Sequence, residues 1–166
     1  MIALYISDTQ ISLAHYSRVH SSPLLVNITA VDLQGSLVED LSREELAVNH
    51  LINGIQEAND KVFITGNEIL ISLTDALVYH EAFQTEQDMS DADIITLVEW
   101  KKDKRWGSTA EKFKAFIELY NDRRQGHIIY VHDFLIQAIK KILKTFSGSP
   151  VWLGTESTVL SALGKL

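Results

Sequence analysis

Carboxylates are the first residues in this chain whose types could do chemistry. Asp8 sits in the turn of an N-terminal hairpin, IALYISDTQISLAHYS over residues 2–17, and Glu44, Glu45, Asp75 and Asp133 follow at wide spacing. Acidic groups gathered from a first strand, a first helix, a fourth strand and a late helix can hold two divalent ions for in-line displacement at phosphorus. Local context gives these residues other duties. Asp8 lies in the turn rather than within the strand, where Asp serves turn geometry. Glu44 and Glu45 fall in a first helical turn, where capping and the helix dipole account for them.

The histidines and the basic tracts read the same way. His127, His132 and Asp133 cluster around GHIIYV, but their spacing across a strand-to-helix junction is not that of a metal box such as HExxH. His132 or Asp133 opens a helix instead, with Asp133 favoured by its positive end. The other four histidines are dispersed, so no metal site is expected. KKDKRW (Lys101–Trp106) is a solvated helix ending interrupted by Asp103, and Arg123-Arg124 in NDRRQG belong to an exposed turn. No P-loop, GxSxG or GxGxxG sequence is present, and no catalytic residue is assigned.

Composition narrows the function classes. A chain of 166 residues fits one domain, or one domain with a lobe inserted in it. A hydrophobic content of 46% is that of a globular protein. The formal charge of −7 opposes general nucleic-acid or anionic-membrane binding, since both need a positive field. There are no cysteines, hence no disulfides, zinc ribbons or thiol nucleophiles. The N-terminus lacks the basic and apolar regions of a signal peptide, and no apolar run approaches the roughly 20 residues that span a bilayer. These features predict a soluble, cytoplasmic protein without direct membrane insertion.

The elements that would position these residues follow from periodicity. Ile2–Ser7, Gln10–Ser17 and Leu24–Leu33 read as three strands of an antiparallel meander. Ser42 to Glu45 (SREE) reads as a capping box opening a helix with Leu46, Leu51, Ile52 and Ile55 on one stripe. Lys61–Ile64, Ile69–Leu73 and Leu77–Phe83 favour strand, Met89–Arg105 helix with Gly107 as its stop, and Phe113–Tyr120 strand. GHIIYV, a helix over His132–Phe146 and a strand over Val151–Leu153 read as a parallel βαβ unit, with a last helix from about Thr155. With roughly Ala76–Asn121 set aside as a small lobe of two strands and a helix, the order becomes βββαβαβα. That is the order of the α/β ribonuclease-H-like fold, a mixed five-stranded sheet with helices on both faces.

This order, with a βαβ lobe inserted after the fourth strand, resembles the N-terminal half of PilM-type proteins. Those are actin-like components of type IV pilus assembly, related to the cytoplasmic domain of the type II secretion L protein. SLTDALVYHEAFQ followed by MSDADIITLVEWKKD resembles that family's entry into its small lobe. GHIIYVHDFLIQAIKKILKTFSGSPVWLGTESTVLSAL resembles its strand, long helix, G-x-x-P turn, strand and closing helix, with Gly148, Pro150, Glu156, Leu160 and Leu163 at the marked positions. The chain stops near where that family's second half would begin. Its phosphate-loop pattern, Asp-x-Gly-x-Ser/Thr, meets Tyr5, Ser7 and Thr9 here, so the carboxylate and the glycine are both missing.

The resemblance implies a non-catalytic interaction or scaffold module, half of an actin-like ATPase fold. Ser7, Asp8 and Thr9 would be a vestigial phosphate loop, and no cofactor is expected. It implies a protein or peptide partner at a pilus or secretion inner-membrane complex, or self-association. Tyr79, Phe83 and Trp100 are the candidate partner anchors, with lobe core as their competing role. The other reading is enzymatic: two chains forming a composite clamp for ATP and Mg²⁺, or a nuclease dependent on divalent metal.

Overall fold

The computed structural model describes residues 1–19, 22–64, 66–85, 89–119 and 125–157. In chain order the elements are β1 (Ile2–Ile6), β2 (Gln10–Val19), β3 (Ser22–Asp32), α1 (Leu37–Asp40), α2 (Glu44–Lys61) and β4 (Glu68–Leu73). Then come β5 (Val78–Gln84), α3 (Asp91–Trp106), β6 (Phe113–Leu119), β7 (Gln125–His132), α4 (Asp133–Thr145) and β8 (Ser149–Thr155). They form two compact units, one of Met1–Leu77 with the segment from Leu135 onward, the other of Val78–Phe134.

Alternating apolar residues build the first unit's sheet. Ile2, Leu4 and Ile6 of β1 are buried, as are Ile11 and Leu13 of β2. The antiparallel register sets Ile6 beside Ile11 and Leu4 beside Leu13, so one face collects the branched side chains. β4 runs parallel to β1 and brings Ile69, Ile71 and Leu73 opposite Ile2, Leu4 and Ile6. The strand order is β3-β2-β1-β4-β8, with β8 parallel to β4. This is a mixed α/β sheet. α2 buries Ala47, Leu51, Gly54, Ile55 and Ala58, a three-and-four spacing that makes one stripe, and packs against β2 and β3. Gly54 permits the approach: a Cβ there would stand 2.4 Å from Leu33 Cδ2 and 3.0 Å from Ile11 Cγ1.

The entry to α2 differs from the SREE expectation. α2 begins after Arg43, which makes no side-chain cap bond. The short α1 takes the capping role upstream, with Ser36 Oγ accepting the Glu39 N–H at 3.0 Å. The chain then turns directly into α2, the Arg43 N–H donating to the Asp40 carbonyl at 2.7 Å. Asp40 is buried, held by the Arg43 guanidinium and with His50 Nδ1 3.0 Å from its Oδ2. A reciprocal capping box does form, at Ser90 and Asp93 of α3. Lys61–Ile64 is not a strand either. α2 runs through Lys61, and Val62 and Ile64 are core residues, the Ile64 N–H donating to Asn59 Oδ1 at 2.9 Å.

The second unit holds the larger departure. The sequence pattern makes GHIIYV a parallel partner of the last strand, yet β7 lies between β5 and β6, antiparallel to both, in the order β5-β7-β6. An apolar run before a helix fits a buried strand of either sheet, and periodicity cannot choose between them. Gly126 fits the observed choice, because a Cβ there would meet the Glu118 carbonyl at 2.4 Å and Phe83 Cε1 at 2.8 Å. α3 completes this unit, whose core is Phe83, Ile94, Val98, Ile128 and Tyr130. Because β7 belongs here, the unit is longer than the 76–121 segment read from the sequence. α3 ends at Gly107, which takes φ 54°, the stop expected of it.

Candidate functional site

In open sheets with parallel strands, ligands are taken beyond the carboxyl ends of those strands. β1, β4 and β8 end side by side, with Ile6 beside Leu73 and Leu73 beside Thr155. Five polar residues gather at these ends. Tyr5 is the penultimate residue of β1, Thr74 and Asp75 follow β4, and Glu156 and Ser157 follow β8. The Tyr5 hydroxyl donates to Glu156 Oε1. Thr74 Oγ1 donates to Glu156 Oε2 at 3.0 Å, and the Asp75 N–H reaches the same oxygen at 3.2 Å. Ser157 Oγ donates to Asp75 Oδ2 at 2.5 Å, and the Ser157 N–H faces Oδ1 at 3.4 Å.

The electrostatics follow from these bonds. The Tyr5 hydroxyl is the main cause holding the Glu156 carboxyl below its ordinary value, with the Asp75 N–H and Thr74 hydroxyl adding to it. Burial, then the bond to Glu156, pushes the Tyr5 phenol up. At neutral pH the corner therefore holds a neutral phenol that donates to an ionised carboxylate. Among the described residues, no three His, Cys, Asp or Glu side chains are grouped to hold a metal ion. Asp75 is the one member of the carboxylate set from the sequence that lies in this corner.

The Ser7-Asp8-Thr9 turn is bonded mainly to its own surroundings. The Ser7 N–H donates to the Gln10 carbonyl at 2.9 Å, and the Gln10 N–H returns to Ser7 Oγ at 2.9 Å. Asp8 Oδ1 accepts from Ser36 Oγ at 2.7 Å and from the Val38 N–H at 2.8 Å, while the Asp8 carbonyl accepts the Leu37 N–H at 2.8 Å. Thr9 contributes its carbonyl to the Leu33 N–H at 2.8 Å. Asp8 thus fixes the start of α1. Glu44 and Glu45 are exposed in the first turn of α2, and Asp133 opens α4. Arg123 and Arg124 lie outside the described residues, as do Leu160 and Leu163.

The three aromatic candidates lie in the second unit and fall into two kinds. Phe83 is buried in the core cluster. Tyr79 and Trp100 are 37% and 56% exposed. Tyr79 packs edge-on to Trp106 and Phe113 at 5.6 and 5.7 Å, with the Arg105 guanidinium 5.6 Å from its ring centre. Trp100 carries Lys104 Nζ 5.0 Å from its ring centre. A cleft of about 470 Å³ opens in the same unit between Ala82, Phe83 and Gln84 of β5, Gln125, Gly126 and His127 of β7, and Lys101 of α3. Lys101 pairs with Glu81 at 2.6 Å. The fully buried Tyr130 hydroxyl finds no hydrogen bond of acceptable geometry; burial, then the nearby Glu81 charge, pushes it up to about 12.

Two solved structures share this fold. One is the type IV pilus biogenesis complex PilM–PilN, matched at TM-score 0.67 and 13% identity over 94% of this chain. The other is Cyto-EpsL, the cytoplasmic domain of an inner-membrane component of the Vibrio cholerae type II secretion system, matched at TM-score 0.58 and 8% identity over 93% of this chain. The chain spans 47% of the PilM–PilN chain and 56% of the Cyto-EpsL chain. No protein-family model and no curated protein sequence matches it. At these identities the likeness is one of fold. Among the described residues, no helix is long and apolar enough to cross a membrane.

Against that shared fold, the strand-end corner is the constellation that sequence reasoning did not assemble. Tyr5 and Glu156 are 151 positions apart, and Thr74 had no assigned duty. One signal was available: Tyr5, standing where the loop pattern of the resembled family has a carboxylate.

Proposed function

We propose that this chain is an interaction module with a ribonuclease-H-like, actin-type half-fold, serving as a scaffold in an assembly of the pilus or secretion kind. The carrying observation is the likeness to PilM over 94% of the chain, PilM standing there in a complex with PilN. The closed hydrogen-bonded corner supports the reading, since Tyr5, Thr74, Asp75 and Ser157 turn their donors and acceptors on one another and on Glu156. The Asp8 carboxylate, spent on the start of α1, supports it further. The partner is a protein segment engaging the second unit's exposed aromatics, Tyr79 and Trp100, or a second copy of the chain. ATP and Mg²⁺ are not required, and the setting is the cytoplasmic side of the inner membrane.

Two measurements test this. Calorimetric titration with ATP and Mg²⁺, up to about 1 mM ligand, should give no saturable heat; saturable binding would replace the scaffold reading with a nucleotide switch. A photo-crosslinking residue at position 100, in the host cell, should give one discrete protein adduct that Tyr79→Ala abolishes. An adduct ladder unchanged by Tyr79→Ala would remove this surface from the reading.

A further inference from the structure

β3 is an edge strand of eleven residues, and among the described residues no strand pairs with its outer side. Leu24, Leu25, Val26 and Ile28 on it are between 47% and 63% exposed. Eleven large hydrophobics are exposed among the described residues, and four of them fall within these five positions. Scattered apolar residues are ordinary on a surface; a contiguous set on an unpaired strand marks a contact site. The Ile28 N–H is taken by the carboxamide of the adjacent Asn27, Oδ1 at 2.9 Å, a stand-in for a strand partner.

Edge strands are normally guarded by charge, proline or a bulge. Here Pro23 lies near one end, and the register with β2 slips so that Val26 has no partner on β2. Neither device puts a charge among the apolar residues. From Ser22 to Val31 the strand, SPLLVNITAV, carries none, in a chain with net charge −7. Two copies of an acidic protein repel wherever their charged surfaces meet. This neutral strand is where they can meet without bringing like charges together.

We propose that β3 pairs antiparallel with β3 of a second copy, joining the two sheets across a two-fold axis near Val26. The proposal deepens the self-association part of the functional reading and names its surface. In that register Leu24 lies opposite Ile28 of the partner subunit, and Val26 opposite its own counterpart. At those positions apolar side chains meet apolar ones, while Leu25 faces Asn27 of the partner subunit. Asp32 falls beyond the other strand's first residue. With both copies contributing the same residues, the buried area is on the order of 1,000 Å², the lower end of specific interfaces. The dimer is accordingly concentration-dependent, with a dissociation constant in the micromolar range.

Sedimentation velocity on the intact chain from about 1 µM to about 1 mM is the test. The wild type should pass from monomer to dimer over this range. Val26→Lys and Val26→Glu, at a position already more than half exposed, should each weaken dimerisation at least tenfold while keeping the wild-type unfolding transition. Mixed in equal amounts, they should recover a dimer at least tenfold tighter than either alone, because Lys then faces Glu. A wild type monomeric throughout the range would overturn the proposal, and leave the edge to a partner's strand. A dimer indifferent to both variants, or unrescued on mixing, would overturn it as well. The position-100 adduct reports on the second unit, so failure there leaves this outcome standing and the reverse also holds.

Discussion

The first unit has two places where its sheet stops, and they are finished in opposite ways. At the carboxyl ends of β1, β4 and β8, each of the five polar side chains bonds another member of the cluster. Along the outer side of β3, the apolar side chains have no covering element among the described residues. The first place is where a sheet of this kind performs chemistry, and its donors are already committed. The second has no chemistry in its side chains and considerable area. At the strand ends the side chains are bonded to one another, whereas the β3 edge is apolar and uncharged from Ser22 to Val31.

The comparison can be broken most forcefully from beneath. Leu4, 1% exposed on β1, underlies the strand-end corner through its strand and the β3 edge through β2. Leu4→Ala should cost about 2–5 kcal/mol in urea unfolding, and should loosen both places together. Glu156→Gln acts on the corner alone. It removes the charge that accepts from Tyr5 and Thr74, for an expected loss of about 1 kcal/mol at pH 7. Because Glu156 has a lower pKa in the folded chain than unfolded, its contribution is present above the ordinary carboxyl value and is lost as pH falls through the depressed one. Wild type and Glu156→Gln should therefore converge in urea melts once the pH falls below the depressed carboxyl value.

Tyr5→Phe sharpens the same point with a smaller loss, at or below about 1 kcal/mol. The Tyr5 pKa is raised, so its contribution is present below pH 10 and is lost as pH climbs through the raised value. The variant should lack that alkaline limb, and its Glu156 should titrate higher by NMR. The smallest stability effect belongs to the open edge. Val26→Lys should shift unfolding by less than about 0.5 kcal/mol, although it should weaken the proposed β3 pairing at least tenfold.

How much of this could be read from the sequence depends on the distance over which each decision is made. The meander, the Asp91–Trp106 helix and its Gly107 stop were legible because alternation, charge order and a left-handed glycine are local. The capping of α1 was not, since Asp8 acts across 28 positions on Ser36. Ser42 and Glu45 have the spacing of a capping box, but α2 starts with Arg43 as its N-cap, one residue past Ser42. The sheet to which GHIIYV belongs was likewise undecidable, because Ile128, Tyr130 and Val131 suit any buried strand. Its visible clue was Gly126, whose need appears only once Glu118 and Phe83 are opposite it. On β3, LLVNITAVDL departs from strict alternation at Leu24-Leu25-Val26. That departure was the sequence's own sign of a strand apolar on more than its core side.

The bond between Tyr5 and Glu156 also sets an order in time. A chain synthesised from its amino end has β1 to β4 in hand long before Glu156 exists, and until then β4 is an open side of the core. The segment emerging in that interval is Val78–Phe134, whose three strands and helix need no residue outside it to pair. The inner unit can be finished while the outer one waits for β8. Closure of this core then comes after the inner segment is complete, made when a tyrosine from β1 meets a carboxylate that follows β8.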